Sequence, residues 1–492
     1  MAEEKPNILI ILSDQHRFDC LGAYEHPDIK TPHIDSLAGD GVVYKNCFAT
    51  FPVCTPSRYS FLSGLYVHQH LGWNNRSTLP RGLSTFPRVL KEIGYKTKAV
   101  GKMHFTPTYL DVGFDEMILS EQDGPGRYDD DYHRYLKERG LIDFTDMRDQ
   151  VYEMRSQAEK DYYDNFGSEA AILDEKHYNT TWIGDRACET IDSWNGGGHL
   201  LEVGFIKPHH PHDCPKPWSE MYDPDELTLP DGWTEAPLDR DRKFSKGFFD
   251  YSRMDEKALR KIMAKYYGSI SQIDHHVGRM IKLLKDKGLY ENTLIIYTSD
   301  HGDYMGFHHM VLKGNYMYDP VIKIPLVVKY PDNENAGSIE ERLVSNIDIT
   351  TTIIDQAEAF VPRSMWRTSR PIYGEERDTV FAEQPNCYMI RTKNRKLILH
   401  EDGEDQFYDL SKDPHELENQ INNDIYSEDI NELKQRFVQW IAFDSRSVVN
   451  QDKRGFTISA ENVPDFDDGH DESMREYLKK KMEETYTTRK SK

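Results

Sequence analysis

Residues Ile8 to Leu12 read Ile-Leu-Ile-Ile-Leu, and the run stops abruptly at Ser13-Asp14-Gln15. Five apolar residues are too few for a helix, and their β-branched content favours an extended strand. A strand without polar alternation has both faces out of water, which places it in a parallel sheet covered by helices on both sides. The pattern returns mid-chain, where Thr293-Leu-Ile-Ile-Tyr-Thr298 runs into Ser299-Asp300-His301-Gly302. Further strands are predicted over Tyr95–Val100, His199–Phe205 and Ile324–Lys329, and helices over Leu83–Ile93, Tyr178–Trp194 and Asp255–Lys287. The alternation predicts an α/β fold with a central, mostly parallel sheet flanked by helices.

In such folds ligands bind beyond the carboxyl ends of the strands. Here four ends carry Asp14, Lys102, His209 and the pair Asp300-His301. A single aspartate after a strand is often only a turn or a helix cap. Four polar ends in one sheet mark a site.

The 492 residues suffice for two or three domains, or for one large domain with an appendage. Composition shifts near Arg370–Glu376. Short strands with turn signals follow over Thr379–Glu383, Cys387–Arg391, Lys396–His400 and Gln406–Tyr408, then a helix over Glu428–Phe443. The chain is therefore divided into residues 1–372 and a small α+β domain with an antiparallel sheet, residues 373–492. The acidic, tyrosine-rich stretch Gly113–Glu175 is expected to be a largely helical insertion shaping a substrate entrance. The Pro- and Asp-rich stretch Asp213–Phe249 is expected to run over the surface, and the tail 481–492 to fray.

The net charge of −23 argues against a nucleic-acid partner, which would require a basic face. No apolar run approaches the ~18 residues of a membrane span. The first residues, Met-Ala-Glu-Glu-Lys-Pro, lack the basic and apolar regions of a signal peptide. A cytoplasmic location is expected, or a periplasmic or secreted one if a leader was removed. Six scattered cysteines without a C-x-x-C pair predict no structural disulfides. No sequence signal bears on oligomeric state.

Cys54-Thr55-Pro56-Ser57-Arg58 is the most specific motif. Pro56 suits a first helical turn, so Cys54 is expected at a helix N-terminus, where free N–H groups favour an anion and Arg58 adds a guanidinium. The residues alone leave two readings open, a low-pKa reactive cysteine and a small buried side chain.

This motif, followed by Leu62-Ser63-Gly64, resembles the signature of the formylglycine-dependent sulfatases of the alkaline-phosphatase-like superfamily. Lys5-Pro-Asn-Ile, Thr31-Pro-His-Ile-Asp-Ser-Leu-Ala, Gly101-Lys-Met-His104, Lys207-Pro-His209, Ser299-Asp-His-Gly302 and Lys313 follow in the family's order. The stretches from Met389 to Lys393 and from Tyr408 to Pro414 resemble the family's small domain. The resemblance implies a sulfuric ester hydrolase in which a maturation enzyme oxidises Cys54 to formylglycine. It implies one divalent metal held by Asp14, Gln15, residue 54, Asp300 and His301. Many sulfatases have a second Asp at the Gln15 position and Asn at the His301 position. Fewer carboxylates and one imidazole raise Mn²⁺ as the alternative, with Ca²⁺ kept narrowly ahead.

The implied chemistry is attack on sulfur by one hydroxyl of the hydrated aldehyde, with Arg58, Lys102 and Lys313 stabilising the sulfuryl oxygens. His209 with Lys313 would protonate the leaving alkoxide, and His104 would take a proton from the second hydroxyl to expel sulfate. His212 and Asn74 are candidates for substrate contact. Adjacent histidines such as His275-His276 point apart on a predicted helix and do not suggest a shared metal. The substrate is expected to be a small anionic sulfate ester, such as that of a sugar. The rival is a phosphonate monoester or phosphodiester hydrolase of the same superfamily.

Overall fold

The run from Ile8 lies in β1 (Asn7–Asp14), buried along its whole length at the centre of the sheet. The computed structural model describes residues 5–122, 129–242, 249–314, 316–445, 450–452 and 455–457; the tail expected to fray lies outside them. The other strands of the main sheet are β2 (Val42–Phe48), β3 (Lys96–Gly101), β4 (Glu116–Leu119), β5 (His199–Pro208), β6 (Thr293–Ser299), β7 (Leu326–Lys329) and β8 (Ser338–Ser345). Their order is β8-β2-β7-β6-β1-β5-β3-β4, and a short strand, Lys323–Ile324, also pairs with β2. Within that order, neighbours are parallel except around β7, which runs antiparallel to β2 and β6. The α/β class is as expected.

Residues on the two faces of β1 enter different cores, as the period of two requires. Ile8, Ile10 and Leu12 pack with Phe61 and Leu62 of α2 (Cys54–Ser63) and with Ile349 and Ile353 of α5 (Asn346–Gln356). Leu9 and Ile11 pack with α1 (Pro32–Gly39), α3 (Asn179–Asp192) and α4 (Glu256–Asp286), through Ile34, Ile183 and Val277. Full burial of each such side chain contributes about 1.5–3 kcal/mol. Truncating Ile10 to alanine would cost about 2–5 kcal/mol, because the close-packed core cannot collapse into the gap.

Helix α2 is buried at all ten positions although it is rich in serine. Its hydroxyls are internally paired, as burial demands. Ser57 Oγ donates to the Asp300 carbonyl at 2.6 Å, Ser63 Oγ donates to the Tyr59 carbonyl at 2.6 Å, and Ser60 Oγ lies 2.9 Å from His70 Nε2.

A separate four-stranded antiparallel sheet comprises β9 (Val380–Gln384), β10 (Cys387–Arg391), β11 (Arg395–His400) and β12 (Gln406–Asp409) in sequential order. Helix α6 (Ser427–Gln439) packs on it, and Phe381 stacks on Trp440 with centroids 4.4 Å apart. The insertion after Gly113 is less helical than expected. It begins with the edge strand β4, continues in four short helices between Asp131 and Asp164, and ends in a strand, Ser168–Ala170, paired with His212–Cys214. Tyr132 and Tyr162, expected near an entrance, are buried in cores. Asp213–Phe249 is an excursion of short helical turns in its described part. All six cysteines are free, and no described helix is long and apolar enough to cross a membrane.

Candidate active site

Strand register assembles the four polar ends. Ser13 pairs with Ser299, so Asp14 and Asp300 leave adjacent strands side by side, while Asp14 also pairs with Pro208, one residue before His209. Lys102 enters from β3 at a close crossing with β5, where its N–H donates to the Gly204 carbonyl at 2.7 Å. Glycine is needed there: Gly101 has φ +92, and a Cβ on it would lie 2.1 Å from the Gly204 oxygen.

Arg58, one turn into α2, joins the two carboxylates. Its Nε donates to Asp300 Oδ2 at 2.8 Å, Nη2 to Asp14 Oδ2 at 3.0 Å, and Nη1 to the Lys102 carbonyl at 2.7 Å. Lys102 Nζ pairs with Asp14 Oδ2 at 2.8 Å. Burial opposes ionisation of Asp14, but Lys102, His209, Lys313 and Arg58 outweigh it and hold the carboxyl well below its ordinary range.

Cys54 opens α2, as the motif predicted. Its Sγ lies 3.5 Å from Asp14 Oδ1, 3.2 Å from His301 Nε2 and 3.1 Å from Lys313 Nζ. Burial, reinforced by Asp14, pushes the thiol up to about 12 among the protein groups, so it is not a low-pKa nucleophile. His301 Nδ1 sits 2.9 Å from the Gly302 carbonyl, which can only accept, so Nδ1 carries the hydrogen and Nε2 presents a lone pair. Burial lowers His301 to about 4, consistent with a neutral ring.

This donor set fits a divalent ion. One ligand atom each from Asp14, Cys54, Asp300 and His301 can be chosen within 4.8 Å of one another, all from buried residues. Gln15 adds a further donor: its Nε2 donates to Asp303, leaving Oε1 buried without a partner.

The remaining predicted residues divide. His209 stacks on His210, its Nδ1 is 2.6 Å from the His210 carbonyl, and its Nε2 faces Asp14 Oδ1 at 4.0 Å. Burial, then Lys313 and Lys102, hold it well below its usual value, so the resting imidazole is neutral. His104 is buried with neither ring nitrogen bonded, and burial with Lys102 keeps it neutral too. His212 is fully buried behind the site, 4.0 Å from Asp303 Oδ2. Asn74 is not brought to the site: it is exposed, and its Oδ1 accepts the Arg76 N–H in a surface turn. The neighbouring Asn75 reaches inward instead, accepting the Thr55 N–H at 3.2 Å in the first turn of α2.

Three further residues had no motif to announce them. Glu121 accepts the Met103 and His104 N–H groups at 3.0 and 2.9 Å, pinning His104 in a left-handed conformation, φ 58. Thr55 Oγ1 donates to the His104 carbonyl at 2.9 Å from the other side. Gln122 accepts from Lys102 Nζ at 3.4 Å and donates to the His210 carbonyl, the same oxygen that His209 Nδ1 approaches. Asp303 holds the Gln15 amide and accepts two backbone N–H groups. Only the position of Glu121 and Gln122 just past an edge strand's carboxyl end could have flagged them.

The sulfatase family model matches residues 6–359, and a model described as N-sulphoglucosamine sulphohydrolase, C-terminal, matches residues 307–442. An arylsulfatase of Clostridium perfringens is 29% identical over 497 residues, spanning 92% of this chain and 98% of the relative. An N-acetylglucosamine-6-O-sulfatase of Bacteroides thetaiotaomicron is 26% identical, spanning 88% of this chain and 85% of its own. In fold the chain is similar to the phosphonate monoester hydrolase of Agrobacterium radiobacter, with a TM-score of 0.75 at 23% identity over 89% of this chain and 96% of that one. With the family model spanning most of its length, the chain belongs to the sulfatase family and is a sulfuric ester hydrolase.

Proposed function

We propose that the substrate is the sulfate ester of a sugar or another small alcohol. Catalysis would use residue 54 converted to formylglycine and one divalent cation, calcium ahead of manganese. The observation that carries this reading is the convergence on Cys54 Sγ of Asp14, His301 and Lys313 within 3.5 Å. The N-acetylglucosamine-6-O-sulfatase relative supports a sugar.

Asp14, Asp300, His301 and residue 54 would hold the cation, with Gln15 Oε1 as a further ligand. When bound, the cation supplies positive charge beside the nucleophile. Residue 54 as an aldehyde supplies, through its hydrate, one hydroxyl to attack sulfur and a second from which sulfate can be expelled. Because α2 is wholly buried, the maturation enzyme would meet Cys54 before the helix is packed.

Lys102 and Lys313 sit where the sulfuryl oxygens gather charge, fixed before the reaction and shielded from water. Arg58 has all three nitrogens engaged by the protein; its part is to hold both carboxylates and the Lys102 carbonyl in place. Lys313 holds the proton for the leaving oxygen, and the neutral His209 beside it can relay that proton once an anion offsets the two lysines. His104, with both ring nitrogens unbonded, can accept a proton from residue 54.

The Gln15 and His301 departures favour the phosphonate or phosphodiester rival as the second reading. Steady-state kcat/KM on aryl sulfate and aryl phosphonate esters separates the two. Faster sulfate turnover is expected; faster phosphonate turnover would sink the first reading.

A further inference from the structure

A cleft of about 450 Å³ opens on the surface beyond His104, a volume suited to a small ligand. Its rim includes Pro107, three residues after His104, so their Cα atoms are at most about 11 Å apart. Thr106, between them, donates through Oγ1 to the Asn75 carbonyl, and Asn75 accepts the Thr55 N–H. The cleft is thus built on the same loops that hold the nucleophile's helix and the His104 backbone.

Its walls combine an apolar floor, including Leu79, Leu83 and Val112, with the Tyr109 ring and two arginines. In a chain of charge −23, the arginines there are short of counter-ions. Arg81 makes no ion pair or hydrogen bond with any described residue. Arg88 donates from Nη2 to the Asp111 carbonyl at 2.6 Å, but its Nε is buried without a partner. The one acid on the walls is Asp111, whose side chain is 84% exposed and lies 3.7 Å from Arg88. An ion pair so exposed is worth little. Unfilled guanidinium donors beside an apolar floor suit an oxyanion carried on a ring, bound in the forked geometry that arginine offers sulfate and carboxylate groups.

We propose that Arg81 and Arg88 bind a second anionic group, sulfate or carboxylate, of the same substrate molecule whose sulfate ester is cleaved at residue 54. The inference rests on the sulfate-ester reading above and extends it: the substrate class becomes a multiply charged oligosaccharide, with a ring other than the one being desulfated resting on the apolar floor.

Two arms test this. In the first, sulfate-free crystals of the full Cys54→Ala chain are soaked in selenate and the selenium is located by anomalous scattering. A peak between Arg81 and Arg88 is expected, and its disappearance in the Arg81→Ala/Arg88→Gln background. No peak in the parent overturns the site. In the second arm, kcat/KM of the mature protein is measured on para-nitrophenyl sulfate and on a disulfated disaccharide. The double variant should lose about tenfold on the disaccharide while staying within twofold on the aryl ester. Arg81→Ala alone, an exposed position that the fold does not use, should lose part of the same preference. A selenium peak with an unchanged disaccharide preference would mean a free oxyanion occupies the cleft, overturning the substrate assignment. Failure of the parent to cleave either ester would refute the sulfate-ester reading, and with it the substrate assignment, while the selenate arm still decides whether the cleft binds an oxyanion.

Discussion

Replacing Glu121 by glutamine should remove the pH dependence of stability that one buried position contributes. Glu121 is 2% exposed and accepts the N–H groups of Met103 and His104. Burial nevertheless dominates and raises its carboxyl from 4.5 to about 7, against those two bonds and Lys102. A folded value above the unfolded one means that the protonated form is favoured by the fold. The stability it contributes is fully present below about pH 4.5 and is lost as pH rises through about 7. A shift of that size corresponds to about 3 kcal/mol. Glutamine keeps the shape and one acceptor oxygen, losing about 1–1.5 kcal/mol of hydrogen bonding at every pH. Glu121→Gln should therefore be about 1 kcal/mol less stable than the parent at pH 4.5 and about 2 kcal/mol more stable at pH 9. At ~2.1 cal/mol/K per residue of unfolding entropy, a unit of this size moves by about 1 °C per kcal/mol. Scanning calorimetry at the two pH values should show the two midpoints crossing, with the variant about 2 °C higher at the alkaline end. Parallel pH profiles for the two proteins would refute the argument that burial outweighs the two N–H donors. Activity offers a second readout, because the same carboxylate pins His104: kcat should fall about tenfold with little change in KM.

Other outcomes follow from the same geometry. Asn75→Ala should cost about 1 kcal/mol and lower kcat by loosening the first turn of α2, while Asn74→Ala should be silent in calorimetry and turnover. Asp319 accepts from Arg391 at 2.8 Å and Lys396 at 2.9 Å across the contact between the large sheet's loops and the small sheet, and within the small domain Glu416 pairs with Lys396 at 2.7 Å. Lys396→Met leaves the buried Glu416 without its cation, while Asp319 keeps Arg391, and should cost about 3 kcal/mol in denaturant unfolding. Chelation should lower the thermal midpoint as well as the turnover, since Asp14 and Asp300 would then face each other with only Arg58 and the lysines between them. Restoration by Ca²⁺ and by Mn²⁺ at equal free concentration ranks the two ions.

The strands that end in the site were readable because continuous apolar runs have few alternatives. Asp14, Lys102, His209 and Asp300 are legible from the strand ends alone. Strands β2 and β8 were not readable: Tyr-Lys-Asn within Val42–Phe48 and Glu-Glu-Arg within Ser338–Ser345 break the apolar run where one face meets solvent. Helix α2 shows the converse. Its serines look like a surface, and only their internal hydrogen bonds make burial affordable. The supporting residues Glu121, Gln122 and Asp303 were invisible for a related reason. They act on backbone N–H groups and on other side chains, and such roles impose no spacing on a sequence. His209 was legible as a member of the site but not in its protonation, which depends on how closely Lys313 and Lys102 approach it.

The central claim is that residue 54 is a modified nucleophile for sulfate esters. Mass spectrometry of the tryptic peptide Asn46–Arg58, from protein made in its native host, combined with aryl sulfate turnover of the same preparation, tests it most directly. The account predicts the mass of an aldehyde or its hydrate at position 54, and turnover in proportion to the converted fraction. A peptide carrying only the intact thiol in protein that turns over aryl sulfate at full rate would contradict it.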